Sequence, residues 1–181
     1  MRTFACFLLL VGLGAAPANA AQFKLESSDI RSGSSIHEKY VFDKFGCTGQ
    51  NMSPSLSWTG APTGTKSFVL TVYDPDAPTG SGFWHWVMFN IPPNVTSLPQ
   101  GAGAPGKEPQ GAMQIENDYG TVGYGGPCPP PGKPHRYQFT IYALKTDKLD
   151  LKSNVHAAVV GFMTHMNLLG QATFTSMYGQ P

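Results

Sequence analysis

Two histidines, a tyrosine and two aspartates stand at predicted strand starts, strand ends or in mid-strand, in a chain where only 13% of residues are charged. His85 interrupts Phe83–Ile91 (FWHWVMFNI), a segment otherwise almost wholly apolar, and is flanked by Trp84 and Trp86. His135 and Tyr137 open His135–Leu144 (HRYQFTIYAL) two residues apart, so an extended chain points both to the same side. Asp74 and Asp76 lie in Asp74-Pro75-Asp76-Ala77-Pro78, a turn fixed by prolines after the run Ser67–Tyr73. Glycine- and proline-rich loops precede both histidine segments and allow the backbone close to a ligand. Brought together, these groups would line a small polar pocket in an aromatic, proline-rich wall. Phosphate or carboxylate suits it: imidazole N–H and phenol O–H donate, and an aspartate behind a histidine fixes its tautomer. Exposed backbone N–H groups would add donors.

Each residue also has a plainer role to be weighed against this one. A lone histidine in an apolar strand commonly serves a core hydrogen bond, an aspartate in a proline turn caps it, and a buried tyrosine tethers its hydroxyl. Asp76 stands between lining a pocket and bonding its own turn. Arg136 falls on the opposite face from His135, as a surface residue or ion-pair partner. His37, His156 and His165 match no spacing for metal ligation or catalysis.

The elements that must position these residues are mainly strands. Ser67–Tyr73 alternates, with Phe68, Leu70 and Val72 on one face and Val69 and Tyr73 on the other. Phe83–Ile91 is apolar on both faces and predicts a central strand covered on both sides; Pro92-Pro93 ends it. His135–Leu144 predicts a strand with one core face. Residues 22–46 predict one or two short strands, 47–55 a loop, Leu56–Trp58 a short strand, 99–114 an irregular excursion, and Ala172–Tyr178 a last strand. Tyr124–Gly132 (YGGPCPPPG) holds too many prolines and glycines for regular structure. One helix is predicted, from Asn154 to Leu169 with Ser153 as its N-cap, Gly170 at its end, and a core stripe of Val155, Val159, Phe162, Met166 and Leu169. Met163 also reads as core packing.

Composition sets the limits. The chain has 181 residues, 41% hydrophobic and 12% aromatic, with 21 glycines and 16 prolines: one turn-rich domain with a real core, and neither a coiled coil nor a disordered chain. A formal charge of +1 without a basic block argues against nucleic acid as a partner. Met1-Arg2, the apolar run Phe4–Gly14 and Ala18-Asn19-Ala20 have the arrangement of a secretory signal peptide over residues 1–20, cleaved after Ala20. The run is too short for the about 20 residues a transmembrane helix needs. Loss of Arg2 leaves 11 basic against 11 acidic residues in 21–181. Cys6 goes with the leader, so an exported, periplasmic or secreted chain keeps Cys47 and Cys128, and one disulfide between them is expected.

In order along the chain, Asn51-Met52-Ser53-Pro54 with Leu56-Ser57-Trp58, Asp74-Pro75-Asp76-Ala77-Pro78, Gly82-Phe83-Trp84-His85-Trp86, and Tyr124-Gly125-Gly126-Pro127-Cys128-Pro129-Pro130 followed by His135-Arg136-Tyr137 resemble the phosphatidylethanolamine-binding protein family, in its bacterial Raf-kinase-inhibitor-like branch. The resemblance spans residues 22–180. It implies a single-domain, Greek-key-like antiparallel β-sandwich with a C-terminal helix, and a pocket for phosphate, acetate or a phosphoethanolamine head group. By motif, Asp74, Asp76, His85, His135 and Tyr137 would be its polar lining, and Gly126, Pro127, Pro129 and Pro130 its wall. Two departures stand out. Trp86 follows His85 where animal members have a second histidine, and Cys128 is inserted in the wall, which suggests a staple to the 47–55 loop.

Three function classes compete. The first is an exported binding protein for a small anion or phospholipid head group, possessing no cofactor and acting on a protein partner as a regulator or inhibitor. The second is an interaction module with a vestigial pocket, contacting a protease-like partner through 99–114; the resemblance supplies this reading, because some related proteins inhibit kinases or proteases and an exported chain does not meet a cytosolic kinase. The third is an enzyme, and the first reading expects none. There is no Gly-x-Ser-x-Gly, and His85, His135 and Asp74 as zinc ligands lack the support of a short His-x-x-x-His pair.

Overall fold

A computed structural model describes residues 22–180, so the leader expected at 1–20 lies outside the described residues. The alternating run becomes β3 (Ser67–Asp74) and the doubly apolar run becomes β4 (Phe83–Ile91), paired as an antiparallel hairpin. Around them lie β1 (Lys24–Glu26), β2 (Leu56–Thr59), β5 (Ser97–Leu98), β6 (Met113–Gln114), β7 (His135–Leu144), α1 (Ala157–Met166) and β8 (Leu168–Tyr178). A turn of 3-10 helix, Glu38–Tyr40, follows β1, and the His37 imidazole caps it by accepting the Lys39 N–H.

The strands form two antiparallel sheets, a small one in the order β1-β2-β5 and a large one in the order β6-β4-β3-β7-β8. In the large sheet β7 returns to lie beside β3, outside the β3–β4 pair, which is the Greek-key arrangement. Period-two alternation then divides the core. Phe68, Leu70, Val72, Phe139 and Ile141 face Leu25, Leu56, Trp58 and Leu98 of the small sheet. Val69, Val87, Phe89 and Leu144 face Val160 of α1 on the other side. β4 is central and covered on both faces, as its composition predicts.

The helix differs from expectation in extent and in the face it buries. It spans Ala157–Met166, with His156 at the N-cap in place of Ser153 and with no side-chain cap bond. Its buried residues are Ala157, Val160 and Thr164, whereas Val159, Phe162, Met166 and Leu169 are exposed, Phe162 by 64% and Met166 by 61%. Residues 157, 160, 161 and 164 are themselves at helical spacing, and their small side chains lie against Trp84, Val87 and Tyr142. Large rings already fill the sheet surface, so small side chains are what fit there. Met163 packs against this second core, but Met166 does not. Nor does Gly170 end the helix. The Asn167 amide does so by donating to the Met163 carbonyl (2.9 Å), and β8 starts at Leu168, four residues before the expected strand.

The far ends of the described chain meet. Gly33 N–H donates to Thr175 O and Ile36 N–H to Met177 O, both at 2.7 Å, and the Ser176 hydroxyl donates to Arg31 O.

Candidate functional site

Three strand ends of the large sheet converge on one cavity. β3 ends at Asp74, which pairs with Phe83 at the start of β4, and β7 begins at His135 beside β3. The pairing of β3 with β4 slips between Val72–Trp86 and Tyr73–Trp84, which leaves His85 as an extra residue without a partner on β3. This is a β-bulge, and bulges re-aim side chains. Trp86 faces the inter-sheet core and Trp84 the helix side. His85 turns to the same side as Tyr137, with ring centroids 5.1 Å apart and nearly perpendicular planes.

The cavity is about 150 Å³. Of the expected lining residues, Asp74, His85, Pro129, Pro130, His135 and Tyr137 border it, together with Cys128. Asp74 is buried and accepts from both sides: His135 Nδ1–H at 2.7 Å and its own turn's Asp76 N–H at 2.8 Å. His85 donates Nδ1–H to the Gly125 carbonyl at 2.7 Å, because a carbonyl only accepts. Burial disfavours its imidazolium and holds its pKa down to about 4, against the opposing pull of the Gly125 carbonyl and of Asp74. The Tyr137 hydroxyl is buried without a hydrogen-bond partner, and burial together with the Asp74 charge raises its pKa.

Asp76, Gly126 and Pro127 are not among the residues bordering the cavity. The Asp76 carboxylate is taken up by Arg136, through Nε at 2.9 Å, the second guanidinium nitrogen at 2.7 Å and the backbone N–H at 2.9 Å. These bonds from Arg136 hold the Asp76 pKa at about 2. Asp76 therefore ties the turn to the outer face of β7, the structural role weighed against ligand binding. Gly126 works one layer back: its N–H donates to Asn51 Oδ1 at 2.8 Å, and a Cβ there would fall 2.2 Å from Tyr40 O. Pro127 O accepts the Phe42 N–H.

Tyr119 is a lining residue that motif spacing did not reveal. Its ring stacks on Phe42 with centroids 3.9 Å apart, leans on Phe83 at 4.6 Å, and its hydroxyl donates to Gly126 O at 3.1 Å. Asn117-Asp118-Tyr119-Gly120 is the only cue, an Asx turn in which Asn117 Oδ1 accepts the Tyr119 N–H. Phe83, Ala77, Pro78 and Thr79 also border the cavity. Cys47 and Cys128 form a disulfide with Cα atoms 6.0 Å apart, joining the wall to the start of the 47–55 loop as expected. Among the described residues no group of three or more His, Cys, Asp or Glu is arranged for a metal ion, and no helix is long and apolar enough to cross a membrane.

The family described as phosphatidylethanolamine-binding protein matches residues 26–179. The chain belongs to that family. YbcL of Escherichia coli (strain K12) is 52% identical to it over 164 residues, covering 89% of this chain and 90% of YbcL. YbhB of the same organism is 46% identical over 156 residues, covering 86% and 99%. The crystal structure of E. coli YbcL, described as a new member of the mammalian family, superposes with a TM-score of 0.87 at 51% identity, covering 89% of this chain and all of that one. A Chlamydia trachomatis homologue, CT736, gives a TM-score of 0.75 at 32% identity over 91% of this chain. The two-sheet sandwich is thus the family fold, and the cavity at its strand ends is where the family motifs meet.

Proposed function

We propose that this protein is a non-enzymatic binding protein for a small oxyanion of the phosphorylated head-group class, active outside the cytoplasm. The observation that carries this reading is the Tyr137 hydroxyl, buried without a partner at the edge of a cavity flanked by two imidazoles. Leaving a buried hydroxyl unmade costs about 1–3 kcal/mol, and an anionic oxygen in the cavity would recover it. Size supports a head group rather than a whole lipid: pockets for drug-sized molecules run to about 300–1,000 Å³, well above this one. Membership of a family that binds phospholipid head groups and anions points the same way. The Cys47–Cys128 disulfide fits an oxidising compartment.

Proton NMR of the imidazole signals, titrated with phosphate and with phosphoethanolamine, tests the proposal. Saturable shifts of two histidines, abolished in His135→Ala and weakened in Tyr137→Phe, are expected. No shift at millimolar ligand would overturn it.

A further inference from the structure

The cavity offers few hydrogen-bond donors for an anion. Three bordering residues, Pro78, Pro129 and Pro130, have no backbone N–H to give. The Tyr119 hydroxyl is spent on Gly126 O and the Thr79 hydroxyl on Gly82 O. Among the described residues, no lysine or arginine borders the space, and Arg136 is turned outward to Asp76. Both imidazoles donate backwards, His85 to the Gly125 carbonyl and His135 to Asp74, so that each leaves Nε2 uncommitted. In a neutral imidazole that nitrogen is a lone pair. The sequence suggests that the histidines donate to a ligand; the geometry makes neutral His85 an acceptor. Among its side chains, a fully deprotonated anion would meet the Tyr137 hydroxyl, the Nε2 lone pair of neutral His85 and the Asp74 carboxylate.

Resting on the reading of this cavity as an oxyanion site, we infer that it selects a ligand bringing its own acidic O–H beside an anionic oxygen, a phosphomonoester monoanion, over a phosphodiester. The ligand O–H donates to His85 Nε2, and Tyr137 donates to the ligand's anionic oxygen. The groups facing His85 are Asp74 from β3, His135 and Tyr137 from β7, and Tyr119 from the segment between β6 and β7. Burial keeps the His85 lone pair available through mildly acidic pH. His135 borders the same space for monoesters and diesters alike, so the difference between the two ligand types is what reports on His85.

A phosphomonoester loses its second proton near pH 6, so its monoanion falls from about half of the total at pH 6 to about 1% at pH 8. Calorimetric titration of the disulfide-bonded protein with methyl phosphate, methylphosphonate and dimethyl phosphate tests the inference. Methyl phosphate should bind about fiftyfold more tightly at pH 6 than at pH 8, following that monoanion fraction. Methylphosphonate, whose second oxygen is more basic, should keep its affinity to higher pH. Dimethyl phosphate, with no acidic O–H, should bind about tenfold more weakly than methyl phosphate at pH 6, the loss of one buried hydrogen bond. Equal affinities for the mono- and dimethyl esters at pH 6, or one shared pH midpoint for methyl phosphate and methylphosphonate, would overturn the inference while leaving an oxyanion site. Absence of binding by all three would overturn the site itself.

Discussion

The two walls of the cavity are built by different means. One wall is strand-borne: Asp74, His85, His135 and Tyr137 are fixed by the pairing of β3, β4 and β7 and by the bulge at His85. The other is a loop: Tyr119 and the Gly125–Pro130 segment belong to no strand and are held by the disulfide, the Asn51 amide, the Phe42–Tyr119 stack and the bonds between Gly125 and His85. The sheet supplies the polar chemistry, where small errors in position matter most. The loop supplies shape and a surface poor in N–H groups. Rigid elements carry the groups that must be aimed, and covalent and side-chain ties suffice for the rest.

Loosening the loop wall should have the largest effect. Replacing Cys47 and Cys128 together by serine opens a link across 81 residues and should lower unfolding stability by about 4 kcal/mol on the loop-entropy view, read in urea titrations. If the division between walls holds, the strand-borne wall keeps its near-ultraviolet circular dichroism in native buffer while affinity for phosphate drops; loss of both together would merge the walls into one unit.

The strand-borne wall has an acid sensitivity of its own. His85 titrates at about 4 when folded and near 6.5 when unfolded, so the unfolded chain binds the extra proton first. Stability is therefore complete above pH 6.5 and declines as pH falls towards 4, by on the order of 3 kcal/mol. Denaturant midpoints across this window should fall in the parent protein and flatten in His85→Gln. An equally steep decline in the variant would place the sensitivity elsewhere.

Asn51→Ala should cost about 2 kcal/mol, because it leaves the Gly126 N–H without its acceptor and puts alanine at φ 48°, a conformation asparagine tolerates better. Hydrogen exchange at Gly126 should quicken while the β3–β7 amides stay protected. Asp76→Asn should do least. Its pair with Arg136 is exposed, so a stability change below about 1 kcal/mol and unaltered phosphate affinity are expected in parallel melts and titrations. A large loss of affinity there would return Asp76 to the ligand.

What could be read before the fold was known follows the same division. The three long strands of the site were legible because apolar alternation is a local signal, and Asp74, His85, His135 and Tyr137 followed from their places on those strands. The disulfide was legible from Cys47 and Cys128, the two cysteines outside the expected leader. The direction of each donor was not, since whether His85 gives its proton to a ligand or to Gly125 depends on a backbone 40 residues away. The bulge leaves a faint trace in Trp84-His85-Trp86, three bulky rings in a row that two-fold alternation would spread over both faces. Tyr119 had no periodic context, and Asp76 could be assigned only once Arg136 lay beside it. The helix misled because both of its faces are apolar. Only the aromatic surface of Trp84 and Tyr142 decides that the smaller side chains go inward.

The hydrogen bonds between residues 31–36 and β8 carry a consequence in time. The Ser176–Arg31 bond joins residues 145 positions apart. As the chain is made or threaded from its N-terminus, segment 31–36 has no partner until almost the whole domain has followed it. The outer edge of β7 waits with it, since β8 is its outer neighbour along ten registered positions. Until then the large sheet presents β7, the strand that carries His135 and Tyr137, as an open edge.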